Sequence, residues 1–219
     1  MLPKIKSLLM AVALLSIAAA PGTAAPHLLS VLDVSNREKC DDPDASPDDI
    51  ISVCATMIKM RVAPDFDHGL KAGLAYMRMN QVDNARYYFA IALKVANKRL
   101  DEFPDSPEDL NNRCWLEAAV NFDLENGLVD CEKGLKIEPE NSDLLVSKAL
   151  VLYRQDKYRD ALAALDVAVR KAPRDPNGWF LRGAVKQKLD ISAEADLKAA
   201  VELQRNIKSI FRNYGVPVN

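Results

Sequence analysis

The chain has 219 residues, 49% of them hydrophobic and 27% charged, with a formal net charge of −2. That composition suits a soluble globular protein and leaves room for one ordinary domain or one short solenoid. Without a basic excess, electrostatics gives no drive toward nucleic acid, and no nucleic-acid partner is expected.

At the N-terminus, Lys4 and Lys6 precede an apolar run from Ser7 to Ala20, and Pro21, Gly22, Thr23, Ala24 and Ala25 follow. A basic start, a short apolar stretch and a small-residue exit make a secretory signal peptide over residues 1–25, cleaved after Ala24 or Ala25. The run is too short and wrongly flanked for a transmembrane span, and no second one of that length occurs. The mature chain is therefore expected in the periplasm or secreted, with no stable membrane insertion. No cysteine lies near the exit, so a lipid anchor is not expected.

Residues 26–46 read as irregular. The acidic run Cys40–Asp49 lacks the Asp-x-Asp-x-Asp-Gly frame of a calcium loop. Its residues suit a helix start instead. Ser46 is placed to cap, Pro47 takes the first helical position, and Asp48 and Asp49 sit against the positive helix end. Ser106-Pro107-Glu108-Asp109 repeats the device and Asp175-Pro176 varies it. Residues 47–62 then read as one packing helix.

Helix pairs follow, over residues 65–100, 107–139, 142–173 and 175–204. The third is the clearest. Leu145, Ala149 and Leu152 form one stripe, and Gln155, Asp156 and Lys157 break it. Tyr158, Ala161, Leu162, Leu165, Ala168, Val169 and Ala172 form the next stripe, which Pro173 stops. Small residues at Ala149, Ala161 and Ala168 mark a close approach of the two axes. The first pair carries Gly69, Ala72, Gly73 and Tyr76, then Ala85, Phe89 and Ala92, and its second helix runs on to about Arg99. The second pair carries Cys114, Trp115 and Ala118, then Gly127, Cys131 and Gly134. The fourth carries Trp179, Arg182 and Gly183, then Ala193, Leu197 and Ala200, with Arg182 and Lys186 in places expected to be apolar. Trp115, Ala149 and Gly183 follow one another at intervals of 34 residues, whereas Gly73 to Trp115 is 42. Residues 206–219 read as a capping helix, about 207–214, and a tail.

This pattern resembles the tetratricopeptide repeat, a 34-residue helix–turn–helix with a W-x2-L-G-x2-Y…A-x3-F…P frame. Leu145 stands for the Trp, Ala149 for the Gly and Leu152 for the Tyr, while Ala161, Leu165 and Pro173 fill the second half. The stretch CDDPDASPDDIISVC and the closing NYGVPV are also similar to secreted tetratricopeptide proteins of Gram-negative bacteria. The resemblance covers residues 65–204 and implies an all-α fold, a right-handed α-solenoid of antiparallel helical hairpins. Trp115 departs from the frame by standing where the family has a small residue. Gly127 and Gly134 are expected to face its ring and keep the interhelical volume constant.

In the family, the first helices of successive repeats line a concave groove that holds a protein or peptide. Carried over by register, the groove takes Leu70, Leu74, Met77 and Arg78 from the first repeat and Asn112, Leu116 and Val120 from the second. The third gives Val146, Leu150, Tyr153 and Arg154, and the fourth Phe180, Ala184 and Lys188. Such a strip, apolar with a basic edge, suits an extended peptide or partner helix of acidic character. In an exported protein the four cysteines are expected to be oxidised, Cys40 with Cys54 and Cys114 with Cys131, each pair lying close along the chain or across one hairpin. The sequence has no Cys-x-x-Cys, no paired-cysteine metal spacing, no G-x-S-x-G, no H-E-x-x-H and no phosphate-binding loop. No catalytic residue, metal or cofactor is therefore expected. The functional expectation is an exported, non-enzymatic scaffold for protein–protein interaction. The alternative is a structural or assembly element of the cell envelope whose groove is self-filled by oligomerisation.

Overall fold

The computed structural model describes Cys40, residues 45–59 and residues 66–218. The expected signal peptide and most of the segment expected to be irregular lie outside these described residues, as do residues 60–65. The described chain enters as α1 (Pro47–Ile50), a π-helical turn (Ile51–Ala55) and α2 (Thr56–Lys59). The Ser46 hydroxyl oxygen accepts from the Asp49 amide at 3.1 Å, and Pro47 needs no partner in the first turn. Cys54 and Ala55 on the π-turn bury themselves against Ala72 and Tyr88 of the first hairpin.

Four hairpins follow: α3 (Phe66–Arg78) with α4 (Val82–Glu102), α5 (Pro107–Val120) with α6 (Leu124–Ile137), α7 (Ser142–Arg154) with α8 (Tyr158–Lys171), and α9 (Pro176–Lys188) with α10 (Glu194–Leu203). Each hairpin packs on itself, and its second helix packs on the first helix of the next. The described residues therefore form an all-α stack of hairpins. A last helix, α11 (Ile207–Asn213), turns back to touch α9, α10 and α3.

The turns explain why the chain reverses where it does. Asn80, Asn121, Asp156 and Asp190 each occupy the left-handed region, with φ of 57°, 53°, 58° and 57°. One stands in each turn between the two helices of a hairpin. Asn and Asp tolerate this conformation better than other side chains. Between hairpins, the side chains of Ser106, Asn141 and Asp175 accept amide hydrogen bonds at the starts of α5, α7 and α9.

The core is centred on α7. A single apolar stripe is expected there, yet every residue from Leu144 to Tyr153 except Lys148 is buried. The reason is its position: α5 and α6, α8, and α9 pack around it. Ala149, Ala161 and Ala168 are fully or almost fully buried, as a close approach of α7 and α8 requires. Arg182 and Lys186 have a polar task. The Arg182 guanidinium donates to both carboxylate oxygens of buried Asp196 at 2.7 and 2.8 Å and to Asp166 at 3.1 Å, and Lys186 reaches Asp196 at 2.8 Å. Arg113 repeats the clamp on Asp130 at 2.5 and 2.7 Å, with Asn97 at 2.9 Å. Each clamp ties a hairpin to itself and to the hairpin before it.

Trp115 does not face Gly127 and Gly134. A Cβ on Gly127 would meet the Glu117 Oε2 at 3.1 Å, and one on Gly134 would meet the Leu144 Cδ1 at 2.7 Å. Cys114 takes the place facing α6, and Trp115 lies about 100° further round the helix. Its ring turns instead to the C-terminal helix, edge-on to Phe211 and Tyr214 with centroids 6.3 and 5.3 Å away. Cys114 bonds to Cys131 with Cα atoms 5.7 Å apart, and Cys40 to Cys54 with Cα atoms 5.3 Å apart.

The 42-residue interval has a structural basis in α4, which has 21 residues against 14 in α6 and α8. While α5 packs directly on α7, the first two hairpins share a small buried cluster of Leu70, Ala92 and Leu116. A cleft opens beside it.

Candidate protein-binding groove

The face formed by the first helices of the hairpins is divided by the C-terminal segment. Phe211 stacks on Phe180 with centroids 4.5 Å apart and meets Tyr214 edge-on at 5.7 Å. Phe180, Phe211, Ile207 and Val216 are all fully buried. The apolar groove expected over the later repeats is therefore filled by this chain's own helix. Leu150, Tyr153, Phe180 and Ala184 belong to the core and not to an open wall, with relative exposures of 0%, 7%, 0% and 2%. Register alone misplaces them because it gives the face of each helix but not what lies on that face.

Arg154 fastens this segment. Its guanidinium donates to the carbonyls of Ala118 at 3.1 Å and Ala119 at 3.5 Å on α5, and to those of Tyr214 and of Gly215 at 3.3 Å in the tail. Burial lowers its pKa, and the nearby Tyr153 partly offsets that. The side chain is thus consumed internally and adds no basic edge to a groove. Arg78 and Lys188 stand exposed on the last turns of their helices and line neither of the two openings described next.

The first opening is a groove of about 320 Å³ in which polar groups and apolar side chains, Phe66 and Trp115 among them, share the wall about equally. Leu70, Leu74, Asn112 and Val146 border it, Leu70 and Val146 with their side chains largely buried. Asn111, Ser147 and Asn177 stand beside them with Asp67, Asp143 and Asp175, and Lys71 is the cation on this wall. The Ser147 hydroxyl donates to the Asn111 Oδ1 at 2.6 Å. Four successive first helices contribute to this wall, and its charge is acidic, not basic. The sequence reading missed Asn111, Ser147 and Asn177, which lie beside apolar positions and carry no periodic signal.

The second opening is the cleft between the first two hairpins, about 690 Å³ and mostly apolar. Leu74, Met77, Leu116 and Val120 line it, together with Phe89 and Leu93 of α4 and Arg154. Glu117 belongs to its wall, is 5% exposed, and its Oε2 has no hydrogen-bond partner. Burial, with Asp130 and Asp123 nearby, pushes its carboxyl up to about 7 against the opposing pull of Arg113. Tyr214 borders both openings and separates them.

Among the described residues no group of His, Cys, Asp and Glu could hold a metal, and no helix is long and apolar enough to cross a membrane. No protein-family model matches the chain, and neither does any curated protein. Among solved structures, MamA residues 41 to the end from Desulfovibrio magneticus RS-1 is similar at a TM-score of 0.44 and 14% identity, covering 84% of this chain and 95% of that one. A double mutant of MamA RS-1 is similar at 0.46 and 14%, covering 83% and 97%. The TPR2AB domain of yeast Sti1, in its complex with pHSP90, is similar at 0.41 and 17%, covering 85% and 84%. By its own hairpin pairing and 34-residue interval, the chain has the fold of a tetratricopeptide-type helical repeat.

Proposed function

We propose that this protein is an exported, non-enzymatic scaffold that holds a segment of another protein in its polar concave groove. The observation that carries this reading is the composition of that wall. First helices of all four hairpins present amide, hydroxyl and carboxylate groups to one surface. A row of donors and acceptors spaced by successive helices suits an extended backbone, whose own donors and acceptors recur along its length. Asp67, Asp143 and Asp175 against Lys71 favour a partner segment of basic character, the reverse of the charge that register alone suggests. The signal-like N-terminus and the two disulfides support an oxidising compartment such as the periplasm.

A photo-crosslinking residue placed at Asn112 in cells tests the reading. It should trap a discrete partner that the same residue at outward-facing Lys198 does not, and Asp143→Lys should abolish the trapped product. Equal trapping from both positions would sink the assignment.

The second reading, a structural element with a self-filled groove, is favoured by the packing of Phe211 between Trp115 and Phe180. That filling is within one chain, so it needs no oligomer. Crosslinking from Asn112 separates the two: a discrete trapped partner supports the scaffold, whereas no product from a folded, well-expressed chain supports the structural role.

A further inference from the structure

The cleft between the first two hairpins, about 690 Å³, is walled by Leu74, Met77, Phe89, Leu93, Leu116 and Val120, and its apolar surface runs on to Phe122, which is 74% exposed. An apolar opening of this size with an apolar rim calls for a cover. The chain carries one of its own. Leu28, Leu29, Val31, Leu32 and Val34 put five apolar side chains into seven residues that lie outside the described ones. They follow Ala25, so a signal-peptidase cut after Ala24 or Ala25 leaves them in the chain. Ser35 to Lys39 come next as a polar tether, which ends at Cys40.

That end is fixed close to the cleft. Cys40 is buried, bonded to Cys54, and clustered with Ala72 of α3 and Tyr88 of α4. Leu74 and Met77 of α3 and Phe89 and Leu93 of α4 wall the cleft, so the same two helices separate it from the tether's anchor. Half-way round a helix with its side chains is about 17 Å. The six residue steps from Val34 to Cys40 span up to about 20 Å. A short tether also keeps its segment at high effective concentration, so a modest intrinsic affinity suffices.

Charge agrees with this occupant. Asp33 is the only formal charge between Leu28 and Val34. The cleft's lining carries Arg86 and Arg154. Arg154 is spent on backbone carbonyls, whereas Arg86 lies 4.0 Å from Asp83, the two side chains being 78% and 100% exposed. A pair so exposed contributes little and leaves Arg86 able to take a second carboxylate at the mouth of the cleft.

We propose that residues 28–34 of this chain occupy the cleft, with their apolar side chains against Leu74, Phe89 and Leu116 and with Asp33 paired to Arg86. Held there, the segment bridges the first hairpin to the second and keeps other proteins out of the cleft. This occupancy stands apart from whatever the polar groove holds.

The test places a benzophenone amino acid at Leu29 of the full chain, irradiates the expressing cells, and purifies the product with both disulfides intact. Peptide mapping should find position 29 joined, within one chain, to Met77, Phe89 or Phe122. Asp33→Arg should lower that yield by about fivefold, and adding Arg86→Asp should restore it. Leu28→Ser with Leu32→Ser should raise the fluorescence of added anilinonaphthalene sulfonate severalfold while the helical circular dichroism signal holds. A product joining two chains overturns the intramolecular occupant in favour of a second copy, and one joining another protein overturns it in favour of a partner. Crosslinks from position 29 that miss these three side chains, or dye binding unchanged by the two serines, overturn the site. A yield indifferent to Asp33→Arg overturns the pairing with Arg86.

Discussion

Replacing Glu117 by Gln should make the protein more stable, and by an amount that grows with pH. The folded-state pKa is about 7 against an ordinary 4.5, raised first by burial and then by Asp130 and Asp123. Between these values the folded chain binds a proton that the unfolded chain has lost. Stability therefore falls as pH rises from about 4.5 to about 7 and levels off above that. At about 1.36 kcal/mol per unit, the full shift corresponds to about 3 kcal/mol. Relaxation of the site around the charged form lowers this, so about 1–2 kcal/mol is the expected difference. Urea unfolding at pH 4.5, 6 and 8 on both proteins reads it directly: near-equal midpoints at pH 4.5, and the variant higher at pH 8. Parallel stability profiles across that range would refute the reasoning, because they would mean that Glu117 ionises as easily folded as unfolded.

Three other perturbations probe the stack. Phe211→Ala should cost about 3–5 kcal/mol in urea unfolding, since the ring is fully buried between Trp115 and Phe180; a loss under 1 kcal/mol would show that α11 does not fill the groove. Arg182→Met should cost about 2 kcal/mol, less than for a fully orphaned buried charge because Lys186 still reaches Asp196. In the native protein burial works to raise the Asp196 pKa, but Arg182 and Lys186 hold it below its ordinary 3.8. The clamp's contribution should therefore be present above about pH 4 and fade as pH falls through the lowered value, which acid titrations of the two proteins compare. Replacing Cys114 and Cys131 together by Ser should cost about 3 kcal/mol, as expected for a bridge across a sequence separation of 17, and an unchanged melting midpoint would remove that estimate.

The stack was legible because its signals are local and repeated. The 34-residue spacing of Trp115, Ala149 and Gly183, the small residues of α7 and α8, and the Ser46 and Ser106 caps all depend on near neighbours. The groove was less legible because occupancy is not local. Nothing around Phe180 or Ala184 announces that Phe211, some thirty residues on, lies over them. Trp115 was misread for the same reason, its partners being distant aromatics and not the glycines of its own hairpin. The turns carried a signal that was available: Asn80, Asn121, Asp156 and Asp190 are the residue types that accept a left-handed backbone, and they recur once per hairpin.

The Arg154 bonds to the tail join residues 60 and 61 positions apart. A linear array whose units touch only their neighbours can fray from an end while its middle stays intact. Here the tail after the last helix bonds to the third hairpin, and the helix itself reaches the first. The array is thereby closed into a loop of contacts. Its ends should melt together with its middle, and loss of the tail should turn one cooperative transition into several.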